Sequence, residues 1–130
     1  MLAGLLKMKK TISKLAILLA CLQFYACASS TVYTPLRRAE PAIGAELTRA
    51  PRIIRLYFNA LPDVAQSSLI LIGPSGEHQL RGMHTMASDD LMIEIMDPVT
   101  TGQYTVEWVT VVGEDPTTYA GSFNFSVAAQ

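Results

Sequence analysis

The chain has 130 residues, half of them hydrophobic, with ten basic and eleven acidic side chains and two cysteines. That length fits one domain. A near-neutral balance whose four lysines all fall within the first 14 residues excludes the clustered basic face that nucleic-acid binding draws on.

The first predicted element is a targeting segment. Residues 1–14, MLAGLLKMKKTISK, are followed by LAILLACLQFYACA, an apolar run ending in Ala26, Cys27 and Ala28. A basic start, an apolar run of about 7–15 residues and a small-x-small exit form the pattern of a secretory signal peptide. The run falls short of the roughly 20 apolar residues that a membrane span needs. Cleavage is expected after Ala28, which gives a signal peptide over 1–28 and a mature domain over 29–130. A start at Met8 would give a tighter opening. Two competing readings are a retained anchor and lipidation at Cys21 within LLAC (18–21). Removal of 1–28 takes both cysteines with it, leaving no disulfide, no zinc–thiolate site and no cysteine nucleophile. It also leaves six arginines against eleven acids, a formal charge of −5.

Beyond residue 35 the hydrophobic period is two. RIIRLYF (52–58) places Ile54, Leu56 and Phe58 on one face. SLILIG (68–73) is a short apolar run. LMIEIM (91–96) alternates Leu91, Ile93 and Ile95 against Met92, Glu94 and Met96. YTVEWVTVV (104–112) and SFNFSV (122–127) alternate in the same way. Such segments read as half-buried strands. The turn-forming stretches LPDVAQS, GPSGE, ASDD, DPVTTG and GEDPTT separate them. No stretch has the period of an amphipathic helix. The fold expected is all-β, a small Greek-key β-sandwich or barrel of immunoglobulin-like type. Phe58, Tyr104, Trp108, Phe123 and Phe125 are expected in its core.

These segments resemble, in order and spacing, the CopC/PcoC-type periplasmic copper-resistance domain over roughly residues 33–127. Leu36, Pro41, Ala42, Gly44, Pro51, Leu56 and Phe58 match its opening, LILIGPSGE its Gly-Pro-x-Gly turn, and Gly102, Tyr104, Val106, Trp108, Gly121 and Phe125 its closing strands. The resemblance implies the immunoglobulin-like fold, a periplasmic location, copper as cargo and a membrane copper transporter as a partner. It also implies a Cu(II) site built from an N-terminal histidine and an Asp-x-His pair. Here those positions carry Tyr33, Asp115 and Thr117. Cu(II) favours nitrogen ligands, which neither Tyr33 nor Thr117 supplies. Asp115 reads as a turn residue.

Some members of that family carry a Cu(I) site in a methionine-rich loop with one histidine, and GMHTM (82–86) stands in the corresponding place. Thioether and imidazole suit Cu(I). Met83, His84 and Met86 are therefore the candidate metal ligands, with Met92, Met96 and His78 as weaker candidates. Adjacent Met83 and His84 would face opposite ways in an extended strand and converge only in a loop. The competing assignment is packing, since methionine fills irregular cores and loop histidines commonly only solvate. No catalytic set is present: there is no phosphate-binding loop, and two histidines fall short of a zinc site needing about three ligands. The function expected is an exported copper-binding protein that carries or buffers Cu(I). The alternative is a metal-free immunoglobulin-like interaction or structural domain that has lost its copper site. Oligomeric state is not encoded in any feature of the sequence.

Overall fold

A computed structural model of the chain describes residues 33–129. Residues 1–28, the expected signal peptide, and with them both cysteines lie outside the described residues. Nine strands form two sheets: β1 (Leu36–Glu40), β2 (Glu46–Leu47), β3 (Ile53–Phe58), β4 (Ser68–Gly73), β5 (Gly76–Glu77), β6 (Leu80–His84), β7 (Asp90–Ile95), β8 (Gly102–Thr110) and β9 (Tyr119–Val127). One sheet has the order β1-β3-β7-β6, the other β2-β9-β8-β4-β5. Every pairing is antiparallel except β2 with β9. A single 3-10 turn, Val64–Gln66, is the helical segment of the described residues. This is the Greek-key β-sandwich that the period of two predicts.

The inward faces follow from alternation. Ile54, Leu56 and Phe58 of β3 meet Leu91, Ile93 and Ile95 of β7 within the first sheet. Across the core stand Leu69 and Leu71, Tyr104, Val106 and Trp108, and Phe123, Phe125 and Val127 of the second. All five expected aromatics are buried. Trp108 meets Phe58 edge-on with ring centres 5.5 Å apart, and Tyr104 stacks on Phe125 at 5.2 Å. Burial of such side chains contributes about 1.5–3 kcal/mol each for aliphatics and Phe.

The outward face of the four-stranded sheet is polar. Two guanidiniums cover Tyr57, with Arg38 at 3.7 Å and Arg55 at 4.8 Å from the ring centre. The segment read as a GMHTM loop differs from that expectation. Strand β6 runs through Met83 and His84, and only residues 85–89 connect it to β7.

Candidate metal centre

The β6–β7 pairing decides which way each candidate ligand faces. Its register is Leu80↔Ile95, Arg81↔Glu94 and His84↔Met92. Three steps along β6 thus match two along β7, which defines a β-bulge. Gly82 sits at the bulge with φ +71°, a left-handed conformation that glycine adopts freely. The extra residue puts Arg81 and His84, three apart in sequence, on the same outward face. Arg81 pairs there with Glu94 at 3.3 Å. His84 faces out opposite Met92, where cross-strand Cβ atoms are typically about 5 Å apart.

Met83 is not on that face. It is partly buried and packs against the hydrophobic core. Strand geometry therefore separates Met83 from His84, as an extended backbone requires. Met86 lies in the connection, 63% exposed. Met96 follows the end of β7, four residues from Met92, or about 13 Å along the strand. Of the sequence candidates, His84 and Met92 are brought face to face, and Met86 follows two residues after His84.

Two local contacts prepare this corner. The His84 Nδ1 is bonded to the Gly82 carbonyl oxygen. In the neutral ring Nδ1 is then the protonated nitrogen and donates, leaving the Nε2 lone pair available to a metal. Asp90, on the same face of β7 as Met92, ties down the connection. Its Oδ1 accepts from the Met86 and Ala87 amides at 3.0 and 2.8 Å, and its Oδ2 accepts from Arg55 Nε at 2.7 Å. Burial alone would raise the Asp90 carboxyl; the two amides and the Arg55 guanidinium outweigh it and hold the group below the usual carboxylate range. Its charge is thus compensated within the protein.

The remaining polar candidates are engaged elsewhere. His78 is buried, with Nδ1 2.8 Å from Asp97 Oδ1 and its ring 5.5 Å from Tyr104. The sequence placed it beside a turn and gave no sign that it is interior. Asp115 accepts from Tyr119 Oη at 2.7 Å and from the Thr117 amide at 2.9 Å, so it closes a turn as expected. Those two bonds also lower its carboxyl. Among the described residues no group of three or more His, Cys, Asp or Glu is placed to hold a metal ion. What the site offers is a soft set of imidazole and thioether. The bulge at Gly82 that creates it has no signal in the sequence, because a glycine marks a bulge only inside a strand pattern and β6 shows none.

With this geometry established, comparison with known proteins places the chain. The model of the CopC domain matches residues 36–128. The chain belongs to the CopC domain family. No curated protein sequence matches it. Among solved structures, CopC from Methylosinus trichosporium OB3b is similar at 20% identity with a TM-score of 0.66, over 75% of this chain and 96% of that one. PcoC, a methionine-rich copper resistance protein from Escherichia coli, is similar at 22% identity with a TM-score of 0.65, over 74% and 99%. At such identities these likenesses show the shared sandwich fold of the CopC domain.

Proposed function

We propose that this CopC domain is an exported copper-binding protein that carries or buffers Cu(I) at the β6–β7 hairpin. His84 supplies the imidazole Nε2, and Met92 and Met86 supply thioethers. Met83, the remaining candidate of the segment, backs the site from the core side. The observation that carries this reading is the cross-strand placement of His84 opposite Met92, with Nδ1 already occupied by a carbonyl. Soft thioether and neutral imidazole favour Cu(I) over Cu(II), and the ion accepts few ligands with little geometric demand. The family and the copper-resistance relatives add support. Export through residues 1–28 to the periplasm, with a membrane copper transporter as recipient, completes the proposal.

The test is titration of the mature domain against a chromophoric Cu(I) chelator under reducing conditions, with Cu(II) in parallel. About one Cu(I) per chain and weak Cu(II) binding are expected. Replacing His84→Ala, Met86→Leu and Met92→Leu together should abolish Cu(I) competition, while Met83→Leu leaves it nearly unchanged. Unaltered Cu(I) affinity in the triple variant would remove the site. A second reading is favoured by Tyr33, Asp115 and Thr117: with the nitrogen ligands replaced and Asp115 bound into a turn, the domain would act as a metal-free interaction module. Indistinguishable titrations of protein and buffer would establish it. Mass spectrometry of the mature N-terminus separates cleavage after Ala28 from lipidation at Cys21.

A further inference from the structure

We propose that a groove at one end of the sandwich docks an extended acidic segment of a partner protein. The groove, of about 680 Å³, lies between the β2–β3 connection at Arg49–Arg52 and the chain leaving β7 at 94–99. Pro51, Ile95, Met96 and Val99 give it an apolar lining, and Met96 is 41% exposed. Beside it, a second depression of about 340 Å³ lined by Pro41, Leu47 and Ile53 shares the same Arg49–Arg52 ridge.

Charge identifies the occupant. Among the described residues four of six arginines are paired: Arg37 with Asp89, Arg38 with Glu40, Arg55 with Asp90 and Arg81 with Glu94. Arg49 and Arg52 have no ion pair, and both are exposed on the groove. Of the two carboxylates that also line it, Glu94 pairs with Arg81, and Asp97 is hydrogen-bonded to His78. A domain of net negative charge thus places the two arginines that have no ion pair on one groove, beside its apolar residues Pro51, Ile95, Met96 and Val99. Guanidinium forks bind carboxylates in bidentate fashion. An extended segment can place alternate side chains on the lining and on the arginines.

The groove shares no lining residue with the proposed copper corner of His84, Met86 and Met92, so the two are tested by different substitutions. The probe is a fluorescein-labelled peptide, Glu-Leu-Asp-Val-Glu-Leu, and its amide counterpart Gln-Leu-Asn-Val-Gln-Leu, titrated with metal-free protein by anisotropy. The acidic peptide is expected to bind, with affinity falling as salt rises. The amide peptide, and the Arg49→Gln, Arg52→Gln double variant, should each bind at least about tenfold more weakly. Amide shifts in NMR spectra should be confined to residues 49–53 and 94–99, and His84→Ala should change nothing. Both arginines are exposed and unpaired, so the double variant should keep the parent melting temperature. Absent binding, equal binding of the two peptides, or undiminished binding by the double variant would overturn the proposal. Arginine-dependent binding to phosphatidylglycerol–phosphatidylcholine vesicles in place of the peptide would reassign the groove to a membrane surface and overturn it as well.

Discussion

At the scale of the residue, Asp90 links the proposed site to the fold. It is fully buried, accepts two backbone amides and one guanidinium, and anchors the connection that carries Met86. Asp90→Ala would leave those donors unsatisfied at a cost of about 2–4 kcal/mol, measured by urea unfolding. Its folded-state carboxyl is held below the ordinary value of 3.8. The unfolded chain therefore binds the proton more readily, and stability from this group is present above about pH 4 and is lost as pH falls through the folded value. Asp97 and Asp115 are lowered in the same direction. Acid unfolding should begin below about pH 4, and Asp90→Asn should flatten part of that dependence while lowering stability at neutral pH. An unchanged pH slope in the variant would mean that Asp90 is not among the groups responsible.

At the scale of the element, two glycines fix geometry that periodicity cannot express. The strands 52–58, 91–96, 104–112 and 122–127 were legible because one face of each is apolar at alternate positions, and 68–73 because it is a short apolar run; the core aromatics followed from the alternation. Strand β6 was not legible: its Arg81, Gly82 and His84 are exposed, so no apolar alternation announces it. The bulge then reverses the face that simple alternation would give His84 relative to Arg81. Met92 was discounted for the same reason, since its partner across the sheet is set by register and not by sequence distance. A Cβ at Gly82 would meet nothing within 4 Å, so Gly82→Ala costs only its left-handed backbone, about 1 kcal/mol by thermal unfolding. Deleting Gly82 should remove the bulge and leave His84 two steps from Arg81, still outward and opposite Met92, so the proposed Cu(I) binding should persist. Gly121 answers to a different constraint. A Cβ there would lie 2.6 Å from the Trp108 ring, so Gly121→Ala should cost about 1–3 kcal/mol by overpacking. The family motif flags Gly121 in the sequence, but its reason, contact with the facing tryptophan across the β8–β9 pair, needs the register Trp108↔Gly121.

At the scale of the whole molecule, the core and the proposed metal corner are separate in energy. Every large side chain of the core is apolar or aromatic and packs between the sheets, whereas His84 and Met86 stand on the surface. A site of that kind differs from structural zinc sites, where binding energy is folding energy. The metal-free domain should therefore be fully folded and unfold in one cooperative step, with the same far-ultraviolet circular dichroism before and after copper is added. Cu(I) should act on stability only through mass action, adding about 2.7 kcal/mol at a free concentration one hundred times the dissociation constant. That gain corresponds to a melting-temperature rise of about 10–20 °C for a domain of this size. The rise should vanish in the His84→Ala, Met86→Leu, Met92→Leu variant, whose metal-free melting temperature stays near that of the parent because His84 and Met86 are exposed and Met92→Leu keeps an apolar side chain of similar volume at a half-buried position. An unfolded metal-free domain would contradict this separation, because it would make copper part of the fold and leave a hairpin surface site unable to explain it.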